Sequence, residues 1–153
     1  MTETRRPAPP TLEQLAQYAI RFNESPILAL FGVHILFPSL DRVRVVLDPI
    51  QPAHRGGLGT AAVNGGVLAA VFDLTIGITP ALIDPTRRNA TMQLSMNFER
   101  PVRGNRLTAE GFIHRAGGTT LSAGAEIYDE AGQVCARAQG LVRMSQGKWE
   151  RDT

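Results

Sequence analysis

Nine residues after Asn64 limit what this chain can become. Gly65-Gly66-Val67-Leu68-Ala69-Ala70-Val71-Phe72-Asp73 opens a run, reaching to about Ala81, that is apolar on nearly every side of a helix. A helix of that kind has to be buried rather than laid on a surface. Asp73, Thr75, Gly77 and Pro80 interrupt the run, so it reads as too short and too broken to span a bilayer. The reading is therefore a core helix, about which the rest of the chain is wrapped. Asp73 sits inside that pattern, and a buried carboxylate is costly unless it is paired or has a task.

The remaining segments supply the wrapping. Residues 1–10 are polar and proline-rich and read as a flexible tail. Thr11 and Gln14 form a capping-box pattern ahead of Leu12, Leu15, Ala16, Ala19, Ile20 and Phe22, which predicts a helix ending near Ser25-Pro26. Ile27 to Phe37 is apolar and β-rich, Pro38-Ser39 suggests a hairpin turn, and Leu40 to Leu47 alternates as a strand. Residues 48–62 contain two prolines and three glycines without a period, and predict a long functional loop. Four more strands follow, over Ala90–Glu99, Arg106–Arg115, Thr119–Asp129 and Val134–Met144, before a polar tail over 146–153. No helix separates those four, so they should be antiparallel. The predicted class is α+β: one domain over 11–145, with an antiparallel sheet of about six strands around a long central helix and an additional N-terminal helix.

Composition narrows the function classes. A net charge of +2 over 153 residues gives little support for nucleic-acid binding. Cys135 is the single cysteine, which fits a reducing, cytoplasmic setting. No Cys/His spacing suggests a metal site. The N-terminus has no apolar run behind its basic pair, so no leader and no membrane partner is expected.

The chemistry points to the start of the central helix. Asn64 is a good N-cap. Gly65 and Gly66 leave the first turn without side chains, so a ligand can approach backbone N–H groups that have no partner within the helix. Such an end stabilises a carbonyl oxygen that becomes negative. Asp73 is a candidate base or nucleophile. It follows Gly65 by eight residues, or ~12 Å along one helix, so one acyl group cannot touch both. If both act on one substrate, they come from two copies of the chain.

Asn64-Gly65-Gly66, six residues and then Asp73 resembles the hotdog-fold acyl-CoA thioesterases of the phenylacetate-degradation (PaaI-like) type. So do the strand Thr91–Pro101 with Gly104, and the ending Glu126–Ala138. The resemblance covers roughly 40–145. It implies hydrolysis of a small or aromatic acyl-CoA by a homodimer, often paired into a dimer of dimers, with no cofactor beyond the CoA of the substrate and no metal. Gly65 would donate its N–H to the thioester carbonyl, with Asn64 and Gly66 beside it. Asp73 of the partner chain would be the base or nucleophile, and Thr91 would help place the attacking water. The family usually has His where this chain has Asn64, and often Asn or Gln where it has Leu58. His54 is a stand-in for a second carbonyl contact from the loop, although a solvent-facing His54 is the commoner case. Arg100 and Arg103, beside the Pro101–Gly104 turn, are the chosen contacts for the CoA phosphates. Two other readings remain: a non-catalytic acyl-CoA binding protein on the same fold, and an acyl-thioester dehydratase or hydratase.

Overall fold

The computed structural model describes residues 8–148; the N-terminal residues 1–7 and the tail from Trp149, including most of the expected end segments, lie outside them. Thr11 caps helix α1 (Leu12–Asn23): its hydroxyl accepts the Gln14 N–H at 3.2 Å while the Gln14 side chain accepts the Thr11 N–H at 2.9 Å. The next segment departs from expectation. Pro26–Phe31 is a second helix, α2, not the first half of a strand. Pro26 occupies its first turn, where a missing N–H costs nothing. Gly32, at φ 66°, ends it in the left-handed region that glycine tolerates.

Strands β1 (Val33–Ser39) and β2 (Arg42–Leu47) form a hairpin turned at Leu40-Asp41, where the Ser39 hydroxyl donates to Asp41 at 2.7 Å. Pro38 lies within β1 rather than in the turn. It is tolerated because β1 is an edge strand. The central helix α3 spans Gly65–Gly77, shorter than the run to Ala81, and a 3₁₀ turn follows over Thr79–Leu82. Pro80 stops it, since a proline there would lose its hydrogen bond and clash with the Ile76 carbonyl. The Thr79 hydroxyl donates to that carbonyl instead, at 2.7 Å. Then come β3 (Arg87–Phe98), β4 (Leu107–Ala116), β5 (Thr120–Tyr128) and β6 (Val134–Lys148).

The six strands make one antiparallel sheet in the order β1-β2-β4-β5-β6-β3, with α3 on its inner face. Val43, Val45, Leu47, Leu107, Ala109, Leu121, Ile127 and Val142 point inward against Leu68, Val71, Phe72 and Ile76 of the helix. Close approach is possible because Gly111 has no side chain: a Cβ there would lie 2.9 Å from Thr75 Cγ2. Gly65–Leu82 is in fact long and apolar enough to cross a membrane by length and composition, but 56% of that window is buried inside the fold, as expected of a core helix. This is the α+β hotdog architecture, with α1 as the additional N-terminal helix.

Candidate active site

Asn64 holds the entrance to α3. Its side chain accepts the Gly66 N–H at 2.7 Å, its own N–H donates to the His54 carbonyl at 2.9 Å, and the preceding Val63 N–H donates to the Val102 carbonyl at 2.9 Å. The Gly66 N–H is thus used within the cap. The Gly65 N–H has no acceptor among the described residues, and a Cβ on Gly65 would meet nothing within 4 Å. An unused donor therefore faces open space at the positive end of the helix.

Asp73 is not the buried acid that its surroundings in the sequence suggest. It is exposed and has no hydrogen-bond or ion-pair partner among the described residues. The reason is that the wrap is incomplete. One face of α3 buries Leu68, Val71, Phe72, Thr75 and Ile76, while Gly66, Ala70, Asp73 and Gly77, four and three residues apart, share a partly open stripe.

That stripe borders β3, an edge strand with no neighbour on its far side among the described residues. Thr91 lies against it: a Cβ on Gly77 would stand 3.1 Å from Thr91 Oγ1. A bulge between Thr91 and Gln93 is responsible. Thr91 is opposite the buried Val142, and Gln93 is opposite the outward Leu141. Counting back by twos from Leu94 would turn Met92 inward and Thr91 outward; the extra residue aims Thr91 at the helix instead. With Thr91 beside Gly77 and Val102 bonded to Val63, β3 and α3 run antiparallel. The start of α3 thus lies toward the Phe98 end of β3, and Asp73 toward its Thr91 end. The inner side of the β3 edge is lined by half-buried Leu94 and Met96 and by Phe98, which is 52% exposed.

The other predicted residues divide. Arg100 and Arg103 are exposed, with no side-chain partner among the described residues, on the connection that Val102 anchors beside the start of α3. His54 is a correction: it is buried at 8% exposure, not solvent-facing. Its Nδ1 accepts the Gln51 N–H at 2.8 Å, which leaves the proton of the neutral ring on Nε2. The ring packs at Gly32, where a Cβ would meet Cε1 at 3.4 Å. His54 therefore reaches the site through its backbone carbonyl, which holds Asn64. Arg87 is tied to the Met144 and Ser145 carbonyls of β6, away from the helix start. Phe72 is core, Phe22 stacks on Tyr18 with ring centroids 5.7 Å apart, and Phe37 meets the Tyr18 ring edge-on at 5.9 Å.

Arg55 escaped the sequence reading. Its guanidinium donates to the Ala61 carbonyl at 2.5 Å and the Gly104 carbonyl at 2.9 Å, joining the glycine-rich loop to the segment that carries Arg103. No local pattern marks it, because both acceptors are backbone carbonyls. A hollow of about 680 Å³ lies elsewhere, on the outer sheet face among His34, Arg44, Asp48, Arg106 and Tyr128, and holds none of Asn64, Gly65, Asp73 or Thr91.

Comparison with known proteins bears on the fold and the family. Residues 61–136, from just before the helix cap to the start of β6, match the model of the thioesterase superfamily. The matched stretch is just under half of the chain, and over it the chain is similar to that superfamily. The PaaI protein of the E. coli phenylacetic acid degradation operon superposes with a TM-score of 0.78 at 16% identity, covering 90% of this chain and 97% of that one. A thioesterase from Haemophilus influenzae gives 0.76 at 17% identity, covering 97% and 98%. At such identities these two likenesses establish the fold. A curated relative, the medium/long-chain acyl-CoA thioesterase YigI of Salmonella typhimurium, is 30% identical over 94 residues, 52% of this chain and 61% of that protein.

Proposed function

We propose that this chain is an acyl-CoA thioesterase whose active site is completed by a second copy of itself. The observation that carries the reading is the unused Gly65 N–H and the unpartnered Asp73 carboxylate on the same open side of α3. They are eight residues apart, ~12 Å along the helix. A two-fold pairing of β3 edges resolves that distance. Because α3 and β3 run antiparallel, it brings the helix start of one chain beside Thr91 and Asp73 of the other. The same pairing satisfies the bare edge of β3 and covers Met96 and Phe98.

In the assembled site the Gly65 N–H donates to the thioester oxygen and holds the negative charge that develops there. Asp73 of the partner chain takes a proton from a water that Thr91 helps to hold. The oxygen of that water bonds to the carbonyl carbon, the C–S bond breaks, and the thiolate leaves to be protonated as free CoA. The apolar lining of Leu94, Met96 and Phe98 suits an aromatic or unsubstituted aliphatic acyl group. YigI is named for medium- and long-chain acyl-CoAs, so chain thioesters belong in the assay beside aryl ones. A dimer of dimers and a cytoplasmic setting complete the proposal. A hydratase role is disfavoured: the ring of His54, the histidine nearest the helix start in sequence, is engaged at Gln51 and packed at Gly32.

The test is release of CoA from aryl, short- and medium-chain acyl-CoAs. Asp73→Asn should lower kcat by roughly 10²–10⁴-fold while retaining binding of the substrate. A single turnover in ¹⁸O-water should put the label into the acid product rather than into Asp73. Wild-type rates in the variant would defeat the reading, and binding without turnover in the wild type would favour a silent binding protein.

A further inference from the structure

Leu58 combines two anomalies. It is fully exposed, and at φ 59° it is the one non-glycine residue among those described with a positive φ. A bulky residue in that region is a true outlier, and such outliers gather where a ligand is handled. The loop that carries it is fixed at its base and free at its tip. Arg55 bridges Val63, the Gly56 N–H donates to the Ala62 carbonyl at 2.8 Å, and the Arg55 guanidinium binds Ala61 and Gly104. Cβ atoms added at Gly57 or Gly59, on either side of Leu58, would touch nothing within 4 Å.

The base of this loop stands between two places that one substrate has to join. On one side it runs into Asn64 and the open Gly65 N–H. On the other, Arg55 ties it to Gly104, next to the exposed Arg103. In a CoA thioester the carbonyl and the phosphates are joined by the pantetheine arm, whose most apolar portion is a gem-dimethyl group near the phosphate end. Building on the thioesterase reading, we infer that Leu58 is a substrate-binding residue that packs on the pantetheine arm between the oxyanion donor and the arginines. A rigid base with an uncrowded tip lets the leucine close on the arm, and the apolar area that leaves water then favours the closed loop.

Three thioesters of one acid separate the parts: acyl-CoA, acyl-pantetheine without phosphates, and acyl-N-acetylcysteamine without phosphates or the dimethyl segment. Leu58→Gly keeps the positive φ accessible and removes only the side chain. It should lower kcat/KM roughly tenfold on acyl-CoA and acyl-pantetheine and leave acyl-N-acetylcysteamine unchanged. Leu58→Met should restore the loss, and Arg103→Ala should weaken acyl-CoA alone. An equal effect of Leu58→Gly on all three thioesters, or on none, overturns the assignment. Hydrogen exchange supplies a readout independent of turnover: the amides of residues 56–60 should slow when CoA is added. If no thioester is cleaved, the thioesterase reading fails by itself, and unprotected amides with CoA bound overturn the role of Leu58.

Discussion

In the proposed site, Gly65 separates the demands of folding from those of catalysis. In the single chain a methyl group there touches nothing, and alanine is the better helix former by up to about 1 kcal/mol. Gly65→Ala is therefore expected to keep or raise the melting temperature. It should nonetheless reduce kcat/KM, because the methyl stands where the thioester oxygen approaches. Thermal denaturation and the CoA-release assay on the same sample check both halves. A variant as active as wild type would remove the helix start from the site. Gly66 differs, since a Cβ there would lie 3.0 Å from Asn64 Oδ1 and crowd the cap itself. The helix start, its cap and the acid were legible as residue types at fixed spacing. The exposure of Asp73 was not, because the pattern of one helix does not say which strand neighbours are missing. The burial of His54 was not legible either, since its contacts are Gly32, Gln51 and the Asn64 N–H, all set by how the loop folds back.

At the scale of elements, the sheet was the most readable part, since each of its later strands alternates between well-marked turns. Two departures have local causes. Pro26 and Gly32 bracket a short helix inside an apolar segment whose composition alone suits a strand, and Pro80 ends α3 before the apolar run does. The β3 bulge was invisible because Met92, Leu94, Met96 and Phe98 alternate without a break in the sequence, and only the pairing with β6 reveals the extra residue. The packing of α3 on the sheet has its own test. A methyl at Gly111 would meet Thr75 Cγ2 at 2.9 Å, the Thr75 carbonyl at 3.1 Å and Thr79 Cγ2 at 3.3 Å. Gly111→Ala should cost roughly 1–3 kcal/mol, as overpacked cores do, read as a lower denaturation midpoint. Unchanged stability would mean that the helix sits farther from β4 than described.

For the whole molecule, the open stripe of α3, the bare β3 edge and the half-exposed Met96 and Phe98 all lie along one border. Each is a cost to an isolated chain, and one two-fold contact removes all three. The account thus depends on a site shared between copies, with the amide from one and the carboxylate from the other. Mixing two inactive variants tests this directly. Asp73→Asn retains the helix start, and Gly65→Val retains the acid while blocking the amide. Unfolded together and refolded, they should regain up to about a quarter of wild-type activity, since half the dimers are mixed and each mixed dimer has one intact site. If the mixture stays as inactive as its components although mixed dimers have formed, amide and carboxylate do not meet across the subunit boundary, and the account is wrong.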